Sequence, residues 1–343
     1  MGKRNGKVGI GLIGTGKIAR LFADAVAGTE GLVPLSVYSR AEETGKDFAN
    51  ACEVPAYTAD WEGFLSDPAL DAVYIASPNL CHYSQALDAL RAGKHVLCEK
   101  PLTTDLARFD VLADEAKARG LVLMEGMRIL HDPVFLQIKE ALPKLGKLRR
   151  VDLEYQQYSS RYDAYRAGTV LNAFDPTLSN AAVMDIGVYP VALAAALFGM
   201  PHDLFARSTF LNNGFEASGD AILSYDGMTA SLSWSKVADS IVPSVLTGED
   251  GSLTIDRLSG TTELIYCPRG GDPVRLDYTP APNNMIHEAT DFCEAVRGKL
   301  DTAPYLSISR DTVRILDLIR RSAGIVFPSD AIAPQEYSTN EIE

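Results

Sequence analysis

Three short stretches carry side chains whose types and spacing could do chemistry. Asp185-Ile186-Gly187-Val188-Tyr189-Pro190 sets a carboxylate and a phenol four positions apart, which on a helix is one face. A phenol with its ordinary pKa of about 10 is a poor base at neutral pH, so Tyr189 needs a cation or donor that favours its anion. The same two groups, buried, could instead only hydrogen-bond each other. Gly187 between them would let a ligand or another helix approach. A source of positive charge is Lys100, in the run Gly93-Lys94-His95-Val96-Leu97-Cys98-Glu99-Lys100-Pro101. Pro101 restricts the backbone of Lys100 and so aims its ammonium. The third stretch, Gly14-Thr15-Gly16-Lys17-Ile18-Ala19, is a GxGxxA between an apolar run and a helical pattern. Gly14 permits a tight turn, Gly16 lets the backbone approach a pyrophosphate, and Ala19 allows close helix–strand packing. The helix N–H groups and dipole would then hold the phosphates.

These residues need elements to hold them. Apolar runs at 8–13, 33–38, 72–76, 95–98 and 121–124 predict strands covered on both faces. Helical patterns at 17–27, 41–51, 82–92 and 104–119 alternate with them. That alternation implies right-handed crossovers and an N-terminal Rossmann domain, a doubly wound parallel sheet, over residues 1–126. Ligands in such sheets bind outside the carboxyl ends of the strands, where Lys100 falls. Beyond residue 126 the period changes to two. Met228, Ala230, Leu232 and Trp234 alternate with Thr229, Ser231, Ser233 and Ser235, and 151–158 behaves similarly. Further strands are predicted at 204–211, 221–225, 241–247, 252–256 and 263–266. The expected fold is therefore α/β, with a C-terminal α+β domain (127–343) built on a large open, mostly antiparallel sheet. Helices at 180–198, 284–297 and 307–323 would cover one face of that sheet, and the polar tail after Pro328 is expected to fray.

The second predicted strand ends at Tyr38-Ser39-Arg40, with Ser39 placed 25 positions after Gly14. A site for NAD(H) would normally place Asp or Glu near here for the ribose hydroxyls. This tip offers a hydroxyl and a guanidinium instead, with Lys46 further on, so NADP(H) is favoured and NAD(H) kept as the alternative. Glu42 or Glu43 could also pair with Arg40.

Composition narrows the remaining classes. Among 343 residues, 32 Lys and Arg face 45 Asp and Glu, a net charge of −13. Such a surface repels nucleic acid and anionic lipid, so no nucleic-acid or membrane partner is expected. No apolar run approaches membrane-spanning length and no secretory signal stands at the start. The five cysteines form no CxxC, which suits free thiols and a cytoplasmic location. The five histidines form no HxxxH or HExxH pair, so no metal site is expected. GxSxG and P-loop motifs are missing too.

The ordered set GLIGTGKIA, GKHVLCEKPL and DIGVYP resembles the glucose–fructose oxidoreductase / inositol dehydrogenase family, Gfo/Idh/MocA, and the likeness continues through TGEDGSLTI and the closing GIVFP. The resemblance implies that Lys100, within Glu99-Lys100-Pro101, is the active-site lysine. It implies that Ser77-Pro78-Asn79 with His82 is the nucleotide-side segment usually written TPNxxH. Arg128, just after Met124-Glu125-Gly126, falls on the same side, where relatives more often carry an aromatic nearby. Asp185 and Tyr189 match the family's DxGxH, with Tyr for His as in the dihydrodiol and NADP-linked xylose dehydrogenases. The implied activity is NADP(H)-dependent hydride transfer to or from a carbinol or carbonyl carbon of a small sugar or polyol. Lys100 would favour the Tyr189 phenolate, and Asp185 would orient the substrate hydroxyl or Lys100. Arg161, Tyr162 and Asn172 are candidate contacts to substrate hydroxyls, in a loop that could equally be plain surface. The open sheet suggests a homodimer or homotetramer. A non-catalytic dinucleotide-sensing regulator and a cofactor-retaining glycosidase stay open as alternatives on the same fold.

Overall fold

The computed structural model describes residues 6–334, which divide into two compact units. The first holds residues 6–128 together with 281–307 and 333–334, and the second holds 129–280 and 308–332. A single division after residue 126 was expected, so the return of 281–307 to the first unit is a difference.

The first unit alternates strand and helix: β1 (Val8–Ile13), α1 (Lys17–Gly28), β2 (Leu32–Tyr38), α2 (Glu42–Ala51), β3 (Ala56–Thr58), α3 (Trp61–Ser66), β4 (Ala72–Ile75), α4 (Asn79–Arg91), β5 (His95–Glu99), α5 (Leu106–Arg119) and β6 (Leu123–Gly126). The six strands are parallel in the order β3-β2-β1-β4-β5-β6. The order reverses between β1 and β4, which is where ligands sit in such sheets. β1 and β4 are buried along their whole length, as strands covered on both faces require. Asp105 caps α5 by accepting from Arg108 N, and Gly120 ends it in the left-handed region, φ 65°.

In the second unit, α6 (Arg128–His131, its first residue still in the first unit), α7 (Pro133–Ala141) and α8 (Tyr162–Arg166) accompany the strands. Those strands are β7 (Leu148–Gln156), β8 (Asp203–Phe210), β9 (Glu216–Tyr225), β10 (Met228–Ser235), β11 (Ser244–Gly248), β12 (Gly251–Ile255), β13 (Leu264–Pro268) and β14 (Val274–Arg275). They form one open sheet in the order β14-β13-β12-β11-β7-β10-β9-β8. Every neighbouring pair is antiparallel except β7 with β10. α9 (Val188–Phe198) lies across β7 and β10. The 23-residue stretch Pro176–Phe198 is apolar and long enough to cross a membrane by length and composition, contrary to expectation, and 78% of its apolar window is buried inside the protein. A helix apolar all round is what a position covered on every side needs.

Two helices complete the chain. α10 (Met285–Val296) packs against α1 in the first unit, not over the large sheet as expected. Met285, Ala289, Phe292 and Cys293 share one core with Phe22 and Tyr74. α11 (Ala303–Ala323) has most of its length in the second unit, where Ser322 Oγ accepts from the edge-strand amide of Ala206 at 2.8 Å. The chain after Pro328, expected to fray, continues as a 3-10 turn over Pro328–Ala331, held by Arg320 on Asp330 at 2.5 Å. The part of that tail from residue 335 lies outside the described residues.

Candidate active site

In the first unit the turn after β1 leads straight into α1. Gly14 closes the turn after β1 at φ 103°, and a Cβ there would stand 2.7 Å from the carbonyl oxygen of Ala76. Only glycine fits both the angle and the contact. Gly16 differs: its φ is −73°, it caps α1, and a Cβ on it would meet nothing within 4 Å. Arg20 N is the first amide bonded back into the helix, to Gly16 O at 3.1 Å, so the amides of Lys17, Ile18 and Ala19 belong to the open first turn. Open space over a helix N-terminus fits a pyrophosphate. At the tip of β2, Ser39 is buried with its hydroxyl 2.7 Å from Thr44 Oγ1, while Arg40 and Lys46 are exposed. The acidic residues Glu42 and Glu43 sit in the first turn of α2.

The segment after β4 and the turn after β5 both meet His82. Its Nδ1 lies 2.8 Å from Pro101 O and its Nε2 lies 3.0 Å from Ser77 O. A neutral ring donates from one nitrogen only, and burial, outweighing those two carbonyls, holds the pKa below the ordinary histidine value. The neutral ring can donate to only one of these two carbonyls, so His82 is bonded to one backbone segment and lies against the other. Ser77 Oγ donates to Gln85 Oε1 at 2.6 Å, and Pro78 and Asn79 open α4. The Lys100–Pro101 bond is cis, and Lys100 is half-buried.

Under Lys100 lies a group of buried acids. Tyr74 OH donates to Glu99 Oε1 at 2.6 Å, and Phe22 stacks on the Tyr74 ring at 3.6 Å between centroids. Glu288 on α10 is fully buried, and neither of its carboxyl oxygens has a hydrogen-bond partner among the described residues. Burial first, then the Glu99 carboxylate and Asp291, raise its pKa well above the ordinary range against the pull of Arg128 and Lys100. The sequence held a signal for Glu288, since Met285, Glu288, Ala289 and Phe292 form one helical stripe.

In the second unit a carboxylate and a phenol stand on one helical turn. Val183–Gly187 is a π turn, which α9 continues from Val188. Pro190 lacks the N–H that an α-helix would send back toward Ile186, so the irregular turn sits where regular bonding fails. Gly187 is needed for a different approach than expected: a Cβ there would meet Trp234 Cγ at 3.0 Å. Trp234 Nε1 donates to Glu216 Oε1 at 2.7 Å, and Val183 N donates to Glu216 Oε2 at 2.8 Å, which pins the turn to the sheet. Tyr189 is 4% exposed, with its ring edge-on to Tyr155 at 5.3 Å. Asp185 is half-exposed and paired with Lys236, whose Nζ lies 2.8 Å from Asp185 Oδ2.

Of the three candidate substrate contacts, Tyr162 joins this arrangement through stacking on Phe174, whose ring lies 5.0 Å from the Lys236 ammonium. Arg161 is exposed at the start of α8. Asn172 is exposed, and its carbonyl accepts from Asn180 Nδ2 at 2.6 Å. Sequence reasoning missed Lys236, although the inward series 228, 230, 232 and 234 continues to 236. Among the described residues no three His, Cys, Asp or Glu side chains gather as metal ligands, and all five cysteines are unpaired.

Residues 8–127 match the model of an oxidoreductase family with an NAD-binding Rossmann fold, and residues 135–254 match that of the GFO/IDH/MocA C-terminal domain. The chain is 40% identical over 324 residues to the scyllo-inositol 2-dehydrogenase (NADP(+)) of Bacillus subtilis (strain 168), covering 93% of this chain and 98% of the relative. It is 39% identical over 321 residues to the oxidoreductase YgjR of Escherichia coli (strain K12), covering 94% and 98%. A 3-ketoreductase from Actinomadura kijaniata, in complex with NADP and TDP-benzene, shares the fold with a TM-score of 0.83 at 24% identity, covering 94% and 99%.

Proposed function

The chain belongs to the Gfo/Idh/MocA family and is an NAD(P)-dependent oxidoreductase of the sugar and polyol type, and from that premise we propose that it is NADP(H)-linked and acts on a carbinol or carbonyl carbon of a small polyhydroxylated compound. When bound, the nicotinamide supplies the hydride acceptor or donor. The amides at the start of α1, with Gly16 leaving room, hold the pyrophosphate. Arg40 at the tip of β2 takes the 2′-phosphate, with Ser39 beside it and NAD(H) as the weaker cofactor. Ser77, Pro78 and Asn79 flank the nucleotide, and His82 keeps their loop in place. Arg128 and Glu99 set the charge around Lys100.

Asp185 accepts a substrate hydroxyl and so orients the reacting carbon. Tyr189 takes the hydroxyl proton in oxidation and returns it in reduction, and Lys100 stabilises the oxyanion that develops. Tyr162 walls the substrate, with Arg161 and Asn172 as outer contacts. The observation that carries the reading is Asp185: a carboxylate pinned on one oxygen by Lys236 and left half-exposed beside the Tyr189 turn. The relative from Bacillus subtilis, an NADP(+)-linked inositol dehydrogenase by its name, supports both the cofactor and the polyol.

A panel of aldoses, inositols and α-dicarbonyls, followed by NADP(H) absorbance with NAD(H) as control, tests the reading. Turnover with a hydroxyl or carbonyl compound is expected. No turnover across the panel would favour a dinucleotide sensor. Release of aryl from a chromogenic glycoside without net cofactor change would favour a glycosidase. Self-association through the open sheet is supported by Phe205 and Ile222, paired across β8 and β9 and 54% and 50% exposed. A light-scattering mass no larger than the 37.1 kDa of one chain would remove it. The unpaired cysteines suit the cytoplasm, which cell fractionation checks.

A further inference from the structure

Glu288 is an acid inside an apolar core. It sits on the buried stripe of α10 with Met285, Ala289 and Phe292, all in the first unit. Those three side chains share a core with Phe22, Tyr74 and Met124. Glu288 is 0% exposed, and neither of its carboxyl oxygens has a hydrogen-bond partner among the described residues. The two other buried acids of this region differ. Glu99 accepts from Tyr74 OH at 2.6 Å, and Glu125 on β6 accepts from Leu102 N at 2.7 Å. A carboxylate stands in a core only where donors or a cation hold its charge, and the core around Glu288 supplies no donor. Burial first, and then the charge of Glu99, keep the proton on Glu288.

What opposes that proton is the positive charge nearby. Arg128 at the start of α6 and Lys100 after β5 both act on Glu288 and favour its anion, while Glu99 and Asp291 favour the neutral acid. Tyr74 on β4 keeps its own proton, which it donates to Glu99. Helix α1, packed against α10, carries Lys17, Arg20 and Asp24, all exposed and screened by water. His287, beside Glu288 on α10, is half-buried. The charge at Lys100 is thus felt at Glu288, and one unit of charge added beside Lys100 is felt there too. The oxidised nicotinamide carries such a charge and the reduced ring does not. On the reading that puts the nicotinamide beside Lys100, we propose that Glu288 is the proton store of the cofactor site: it gives its proton to solvent when NADP⁺ binds and keeps it when NADPH binds. When the ring becomes neutral by gaining hydride, Glu288 takes a proton back, so the net count over one cycle is unchanged.

Calorimetric titration of the full chain, in two buffers of different ionisation enthalpy, counts the protons released on binding. NADP⁺ and NADPH carry the same phosphates, so protons linked to those cancel in the difference. Wild type should release more protons with NADP⁺ than with NADPH, by up to about one. Over the pH range of that release, the ratio of Kd for NADP⁺ to Kd for NADPH should fall by up to about tenfold per pH unit as pH rises. Glu288→Gln should bind both forms with no difference in release and with a flat ratio, and Glu288→Met gives the same reading should the Gln variant not fold. Equal release with both forms in wild type would overturn the proposal. So would a difference that survives in Glu288→Gln, and its loss in Lys100→Met would then assign the proton to Lys100. A chain that binds NAD⁺ and NADH but neither NADP form would instead overturn the NADP(H) reading, and the same titrations with that pair decide the proton. Wild-type turnover in Lys100→Met would overturn the placement of the ring on which the proposal stands.

Discussion

Gly14 and Gly16 stand two residues apart in one loop, and the structure predicts opposite outcomes for the same substitution. In Gly14→Ala the new Cβ would lie 2.7 Å from Ala76 O and 3.0 Å from Ala76 C, both backbone atoms at the end of β4. The residue would also hold φ near 103°. A strained angle of that kind costs about 1–3 kcal/mol, and forcing a methyl into a packed site costs a similar amount. A net loss of about 3 kcal/mol corresponds to roughly 6–12 °C in Tm for a unit of this size. In Gly16→Ala the methyl meets nothing within 4 Å, at an ordinary φ of −73°. The less favourable N-cap and the stiffer unfolded chain each contribute about 0.5 kcal/mol with opposite signs, so Tm should move by no more than ~2 °C. The methyl would, however, occupy the space assigned to the pyrophosphate, and NADPH affinity should fall at least about tenfold, or about 1.4 kcal/mol. Thermal unfolding and NADPH fluorescence titration read the two quantities on the same samples. Wild-type affinity in a well-folded Gly16→Ala protein would refute the assignment of this helix terminus to phosphate.

Arg40→Ala should weaken NADPH by roughly 10–100-fold, the worth of charge-assisted hydrogen bonds to a phosphate, and leave NADH within about twofold. Equal loss for both cofactors would remove Arg40 as the 2′-phosphate ligand. Glu288 offers a pH-dependent test. Its folded pKa is raised by burial and by Glu99, so the folded state keeps a proton that the unfolded chain has released. The stability linked to that proton is fully present below the ordinary glutamate value and is lost as pH rises toward the folded value. Glu288→Gln removes this loss, so its Tm relative to wild type should climb as pH rises above the ordinary glutamate value. A Tm difference that stays flat as pH rises would show that Glu288 is already ionised in the folded protein.

Much of the fold is legible in the sequence because burial writes its period there. β1 and β10 fall on the predicted residues, since one is apolar throughout and the other alternates without a break. β3 was not legible: it has three residues at a sheet edge, with Tyr57 exposed, and so carries no period. The pattern of α10 gives its buried face but not which sheet it covers, and 281–307 returns to the first unit against expectation. The Asp185–Tyr189 turn shows as a helix in the sequence, while its π geometry follows from Pro190 and from Trp234 packing on Gly187. Lys236 and Glu288 were the costliest to miss. Each is a charged residue in phase with an inward-facing stripe, where sequence reasoning tends to assume a solvated side chain. The turn at Gly14 was legible because its φ of 103° and its contact with Ala76 O leave room for glycine alone.

The central claim is that Lys100 serves the chemical step and not the binding of the dinucleotide. Lys100→Met, assayed with the compound identified in the panel, measures this directly when kcat and the NADPH dissociation constant are taken on one preparation. Loss of one positioned donor to a developing oxyanion costs about 10²–10³ in kcat, and NADPH binding should stay within about twofold. Turnover at the wild-type rate, or a loss of kcat matched by an equal loss of NADPH affinity, would contradict the account.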